Sequence, residues 1–591
     1  MKTTKRVFIL ALFVALLSST LPARQLRPVD LVYPQMGSAW SRWFFFSSAS
    51  QPFGMVSLFP DTKIDGEWKS GYRYGTDTIR DFSHIHEWQL SGVAVMPVAF
   101  SEDSVAAILN DWSSAFLHQK ESVKPGFHAV YLERYQIRAE LTAGNRVGFH
   151  RYTFNKGRHH GIVFQLSGQL GPSDLIEGGF RQTGQQEITG FVVNSATMRR
   201  PKETPVYFCA RFSRPIKAIH LITPDSLFAT TSWKGERGNI LVEIEENGSQ
   251  SLLMKVAASF TSEAGAVANL NAELPGWQFD RQRKKTEIRW NDLLSRIDIK
   301  GGTLQQQRRF YTDLWHAIMG RRMISDADGH YADMTGSEKV IRQLPLDKNG
   351  RPRFNLYNSD AFWGAQWTLN TLWDLVYPEI TNECCNSLLE YYKNGGLIPR
   401  GPSGGNYTFV MTGASTTPFF VSAWQKGIRG FNINLAYEGL RKNHFPGGLM
   451  SKVGYEHATS KGAGIDYYIN GGYVPYPLSD TIFGSHQDGA AITLENAYQD
   501  WCLAQLARSL GKDHDDSLFM KRSENFRKLY NPKLGFMVPR TKSGGWNYPY
   551  DPLLYDHGFI EGNGAQFTWF VPHNLPALFE LMGGADTAAA R

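Results

Sequence analysis

The chain has 591 residues, 42% hydrophobic and 20% charged, with a formal net charge of +7. That length is too great for one ordinary core, so two or more domains are expected, and the composition suits a folded chain rather than a disordered one. No long basic run accompanies the charge, which argues against nucleic acid as a partner.

The first element is a targeting signal over residues 1–24. Lys2, Lys5 and Arg6 precede an apolar run from Val7 to Leu17, and small residues and Leu21-Pro22-Ala23 follow. A charged start, an apolar core of this length and a small-residue exit form an export signal, too short for a comfortable membrane span. No cysteine lies near the cut, so no lipid anchor is expected. No second long apolar run follows, so the mature chain is expected to be secreted or periplasmic, without a transmembrane segment. The four cysteines, Cys209, Cys384, Cys385 and Cys502, are too few for a disulfide scaffold and too poorly spaced for a metal site. They read as buried thiols, with one bridge left open.

Residues 25–275 carry short alternating runs, such as His128 to Glu133, Gln136 to Leu141 and Ile240 to Glu245, punctuated by Gly, Asn and Pro. This pattern predicts a β-sandwich domain. Over 276–300 the period changes, and Trp277 to Ile297 predicts a linker helix whose basic run Arg281 to Lys285 faces solvent. Residues 301–591 predict helices joined by Gly- and aromatic-rich loops, which suits a helical barrel with a site at its loop end. Candidate helices are Leu304 to Met319, Ala361 to Val376, Thr381 to Lys393 before Gly395-Gly396, and Thr493 to Leu510 with Thr493 as cap. Leu575 to Met582 reads as another, and Asp586-Thr587 opens one more just before the last residue, so the sequence is expected to be a fragment.

The stretch with the most chemistry is Phe559-Ile560-Glu561-Gly562-Asn563-Gly564-Ala565-Gln566-Phe567-Thr568-Trp569. Apolar neighbours can desolvate a carboxyl and keep its proton on at neutral pH, as a general acid requires. Aromatic rings offer faces to a sugar, and Asn563 and Gln566 can bond to hydroxyls. An N-cap glutamate on a core helix is the alternative. His84 and His86 lie one residue apart in a strand-like stretch; with Glu87 they could touch a metal, or serve as polar groups at a domain interface near substrate. Asp326, Asp328 and Gly329 read as a turn, since the later ligands of a calcium loop do not follow. Glu495 reads as a carboxylate favoured by a helix N-terminus. Arg540 reads as reaching the sugar site or as part of a core salt bridge.

Several stretches together resemble the calcium-dependent exo-acting α-mannosidases of glycoside hydrolase family 92. They include Pro52 to Thr62, Gly71 to Tyr74, Asp81 to His86, Ser325 to Tyr331, Thr493 to Cys502, Gly535 to Arg540, and Glu561-Gly562-Asn563 with Trp569 to His573. The matches keep order and rough spacing over nearly the whole mature chain. The resemblance implies an N-terminal β-sandwich packed on an (α/α)6 barrel, here incomplete, with the site between them. It implies an inverting α-mannosidase, α-1,2-mannosidase-like, acting on an oligosaccharide or N-glycan with Ca2+ as cofactor and Glu561 as general acid. Its general base, in a Gly-Asn-Asp-like motif, and its calcium ligands are expected beyond residue 591, so the chain as written is expected to be inactive.

This sequence also departs from the family pattern. Where the family has Trp-Asp-Thr-x-Arg, this chain reads Ser359-Asp360-Ala361-Phe362-Trp363, so Asp360 is kept and Trp363 stands at the arginine position. Tyr407, Ser422 and Ala565 replace a glutamate, an aspartate and a tryptophan. Asp360 and Trp363 are therefore candidate sugar-binding residues, with an N-cap role open for Asp360. Two alternatives follow: a glycan-binding protein without turnover, and a glycosidase of the same fold for a different sugar. Nothing in the sequence sets the oligomeric state.

Overall fold

The computed structural model describes residues 26–591 except 41, 44, 67–68, 102–110, 156, 225, 360–361, 453–462 and 479–487. The predicted export signal and Asp360 therefore lie outside the described residues. Two antiparallel sheets form the N-terminal lobe. One has seven strands, in the order 59–61, 81–87, 90–100, 159–165, 239–244, 216–222 and 227–229. The other has ten, and runs from 168–170 through 173–184, 187–194, 204–212, 251–259, 147–153, 137–143 and 127–132 to 122–124, with 232–235 added beside 173–184.

Strand alternation explains how these sheets stack. Phe82, Val95, Ile162 and Leu241 of the first sheet share one core with Val130, Leu141, Val206 and Met254 of the second. Phe164 and Phe208 stack across the gap with ring centroids 5.8 Å apart. The second sheet turns its other face, including Phe149, Cys209 and Ala257, toward helix α1 (Glu263–Glu273) and helix α2 (Phe279–Leu294). Helix α1 lies in the stretch read as strand-like. It is rich in small residues and weakly amphipathic, so periodicity hides it, and Ser262 caps it by accepting the N–H of Gly265 at 3.0 Å. Helix α2 is the expected linker helix.

The second lobe is helical: α3 (Leu304–Ile318), α4 (Leu369–Val376), α5 (Pro378–Gly395), α6 (Thr416–Gln425), α7 (Ile433–Asn443), α8 (Ile465–Gly471), α9 (Gly489–Ser509) and α10 (Asp513–Ser523). Leu314, Trp373, Leu388, Phe420, Leu440 and Leu503 from successive helices share its main core. Two boundaries differ from expectation. The segment after Ala361 makes only a short turn at Gly364–Gln366 before α4 begins at Leu369. Helix α9 starts four residues before Thr493, which lies inside it and bonds back to the Gly489 carbonyl at 2.8 Å.

Polar contacts join the lobes. Arg146 donates to the Ser325 carbonyl at 2.6 Å and to Asn355 at 3.1 Å, Asn406 reaches Thr204 at 3.2 Å, and Lys202 reaches the Met334 carbonyl at 2.5 Å. All four cysteines are free and buried. Among the described residues no helix is long and apolar enough to cross a membrane.

Candidate active site

The loop Asp556–Gly562 is built to present one side chain. The Asp556 N–H donates to the Gly562 carbonyl at 2.9 Å and closes the loop on itself. The Gly558 carbonyl accepts the N–H groups of Ala490 and Ala491, both at 3.1 Å, so the loop is pinned to the first turn of α9. Phe559 and Ile560 then bury in a core with Ala490, Ala491 and Leu494. The next residue, Glu561, takes a left-handed backbone with φ of 48°, and Asp556 does the same at 55°. Such conformations cost a non-glycine residue about 1 kcal/mol and persist where surrounding bonds fix them, often at functional sites.

This geometry corrects the expected surroundings of Glu561. Its apolar neighbours Phe559 and Ile560 are buried in the core, whereas Glu561 itself is exposed. Glu561 does not cap a helix. Asn563 does, accepting the Gln566 N–H at 3.0 Å, while the Gln566 side chain accepts the Asn563 N–H at 3.1 Å. This capping box at α11 (Gly564–Phe567) uses both side chains, and they meet each other's backbone rather than a sugar.

Further carboxyls stand near Glu561. Asp488, just ahead of α9, is pushed up to about 8, first by burial and then by the charges of Asp556, Glu495 and Glu561. Glu495, two turns along α9, is fully buried and pushed up to about 7 by that burial. It accepts the indole N–H of Trp363 at 2.5 Å, and Gln366 lies at 3.5 Å. Arg400 sits in the field of Glu495. Burial lowers its guanidinium to about 9, and none of its side-chain nitrogens has a hydrogen-bond partner among the described residues.

The β-sandwich contributes to the same place. The hairpin joining strands 81–87 and 90–100 puts Trp88 at its tip, beside Gln89 with φ of 63°. Trp88 packs on the sandwich core and also on the core around Ile560. Its carbonyl accepts Ser403 at 2.7 Å. Trp363, Tyr473 and Tyr550 pack on that same core. Trp367, 48% exposed, meets Trp363 edge-on at 5.0 Å. Aromatic faces and carboxyls thus converge where the two lobes meet.

Three expected site residues are placed elsewhere or occupied. His84 and His86 are wholly buried in the sandwich. His84 Nδ1 donates to the Val93 carbonyl at 2.6 Å, and its Nε2 faces His150 at 2.8 Å. His86 Nδ1 donates to the Ser57 carbonyl at 2.6 Å, and its Nε2 lies 2.5 Å from Asp61. Both rings are committed to protein atoms, which leaves none for substrate. Arg540 stacks its guanidinium over Trp546 at 4.8 Å and Tyr473 at 5.1 Å and bonds to the carbonyls of Gly544 and Lys528. It props the Tyr473 wall, and among the described residues no carboxylate pairs with it. Sequence reasoning missed Asp488, Asp556, Arg400 and Trp88; the one available signal was Asp556, five residues before Glu561 across a glycine.

Among the described residues no three His, Cys, Asp or Glu side chains converge so as to hold a metal ion. Asp556 and Glu561 act on Asp488 through their fields without forming a cage with it.

Two family descriptions match the chain: the glycosyl hydrolase family 92 N-terminal domain over residues 31–259 and the family 92 catalytic domain over residues 265–591. An uncharacterized secreted glycosidase of Arthroderma benhamiae is 25% identical, over 92% of this chain and 71% of its own length. Two solved structures share the fold. A family 92 α-mannosidase of Bacteroides thetaiotaomicron has a TM-score of 0.82 at 24% identity, over 96% of this chain and 74% of that one. A family 92 inverting mannosidase of Bacteroides thetaiotaomicron VPI-5482 has a TM-score of 0.83 at 24% identity, with the same coverage.

Proposed function

The chain belongs to glycosyl hydrolase family 92 and is a glycoside hydrolase, and from that premise we propose that it is an exported, exo-acting, inverting enzyme of the α-mannosidase type. Its substrates are then mannose-containing oligosaccharides or N-glycans. The observation that carries this reading is the pinned, strained loop that holds Glu561 out beside the core on which Trp88, Trp363 and Tyr473 pack.

In this reading Glu561 gives its proton to the departing glycosidic oxygen as the bond from that oxygen to the anomeric carbon breaks. Water adds to the opposite face of the sugar and releases a proton to a carboxylate base. The base and calcium are what the family resemblance implies, and none of the carboxyls described above is assigned to either. The described carboxyls do not fit a metal cage. Export rests on the charged start and apolar run of residues 1–24, and the Arthroderma relative is called secreted.

The test is hydrolysis of aryl and disaccharide α-mannosides, with the product anomer followed by NMR. In the complete natural protein, Glu561→Gln should cut turnover by about 10²–10⁴-fold on substrates with poor leaving groups. An unchanged rate would remove Glu561 from the reaction. One observation favours a second reading, glycan binding without turnover: Glu561 stands in solvent rather than in an apolar pocket. Saturable mannoside binding with no product from the complete natural protein would decide for it.

A further inference from the structure

Trp363 belongs to a segment with little backbone order of its own. From Phe362 to Thr368 there is one short turn, at Gly364–Gln366, and no side chain caps it. The Phe362 N–H donates to the Arg400 carbonyl at 2.8 Å and fixes the backbone beside Trp363, which leaves the indole to be oriented by packing and by its own hydrogen bond. An indole donates a single hydrogen bond through its N–H. Here that N–H points at the buried Oε1 of Glu495, 2.5 Å away. The acceptor is itself fixed. Glu495 projects from the interior of α9, Gln366 lies 3.5 Å from its other oxygen, Gln499 Nε2 donates to Gln366 at 3.2 Å, and Gln499 Oε1 accepts the Ala414 N–H at 2.5 Å. Arg400 adds charge but no hydrogen bond. Trp363 is half-buried: it packs on the core that carries Ile560, and Trp367 stands edge-on beside it.

We propose that Glu495 is a positioning residue that locks the Trp363 indole as an aromatic wall of the first sugar subsite. The inference rests on the glycan reading of this site. Its consequence is a change of recognition chemistry. An arginine at position 363 would offer hydrogen-bond donors to sugar hydroxyls, whereas an indole whose N–H is already taken offers a flat apolar face. The sugar accepted here is selected by its C–H-bearing face.

The test uses the whole chain labelled with 5-fluorotryptophan, with the Trp363 signal assigned by its loss in Trp363→Phe, and α-mannobiose as probe. In the wild type the Trp363 indole N–H should resist exchange with D2O, and bound mannobiose should shift the Trp363 fluorine signal. Glu495→Gln keeps a carbonyl acceptor and should hold affinity within about threefold, while Glu495→Met should weaken binding by roughly tenfold, as should Trp363→Ala. Glu495→Met should also broaden or displace the Trp363 signal. A freely exchanging Trp363 indole in the folded wild type overturns the proposal, and this needs no variant to fold. So does an unmoved Trp363 signal in Glu495→Met with wild-type affinity. If mannobiose fails to bind the wild type, the mannoside reading falls, and the exchange result alone decides whether Glu495 holds Trp363.

Discussion

The buried carboxyl of Glu495 makes a stability prediction that needs no substrate. Burial lifts it from an ordinary 4.5 to about 7, so its ionised form is disfavoured in the folded protein by about 3 kcal/mol. The sign follows from proton binding. Between about pH 4.5 and 7 the folded state holds a proton that the unfolded state has released. The stability this group lends is therefore full below about pH 4.5 and is lost as pH rises through 7. Glu495→Gln keeps an oxygen for the Trp363 N–H and cannot ionise. Variant and wild type should unfold together near pH 4.5. By pH 8 the variant should be more stable by up to about 3 kcal/mol, a rise in Tm of several degrees. Asp81 and Asp488, both pushed up to about 8 by burial, and Glu87, pushed up to about 7, drift in the same direction. Asp81 and Glu87 are present in both proteins and cancel in the difference, while Asp488, which the Glu495 charge helps to raise, falls in the variant and adds to the gap in the same direction. Paired thermal melts from pH 4.5 to 8 are sufficient. A difference in Tm that stays flat across that range, or that favours the wild type at pH 8, would refute the argument from burial.

Three further outcomes are expected. Glu561→Gly should relieve the left-handed backbone, holding or raising stability by up to about 1 kcal/mol while abolishing turnover; a clear loss of stability would show that the loop is not strained. Asn563→Ala should cost about 1 kcal/mol through the lost cap and leave KM unchanged, and a raised KM would put the amide on the sugar instead. Asp61→Asn should destabilise the sandwich by about 3–5 kcal/mol by breaking the buried contact with His86, with KM unchanged in whatever folds at low temperature; a stable variant with altered KM would return His86 to the substrate site.

Much of the architecture was legible because burial follows period. Alternating runs such as Gln136 to Leu141 became strands with one face in the sandwich core, and the three- and four-residue steps of Trp277 to Ile297 became α2. Helix α1 was not legible, since its small residues carry little pattern and its packing partner is a distant sheet. The candidate site divided along the same line. The position of Glu561 followed from its motif, but its exposure did not: a run of apolar neighbours says that a chain segment is buried, not which way each side chain leaves it. Hydrogen bonds to Ala490 and Ala491, some seventy residues upstream, decide that.

Glu495 shows the limit most clearly. Its role depends on where α9 begins, and Thr493 offered a sound local cap. In the folded chain the helix starts earlier, Thr493 turns its hydroxyl to the Gly489 carbonyl and accepts the Val474 N–H at 2.8 Å, and Glu495 passes from a first turn to a helix interior. A carboxylate in a first turn is held by the helix dipole and faces water. A carboxyl buried two turns in must find a donor or keep its proton. Trp363 is that donor, 132 residues away in sequence, and no local pattern encodes such a pairing. A four-residue shift in one helix boundary thus separates a solvated surface charge from a group that orients the proposed sugar wall.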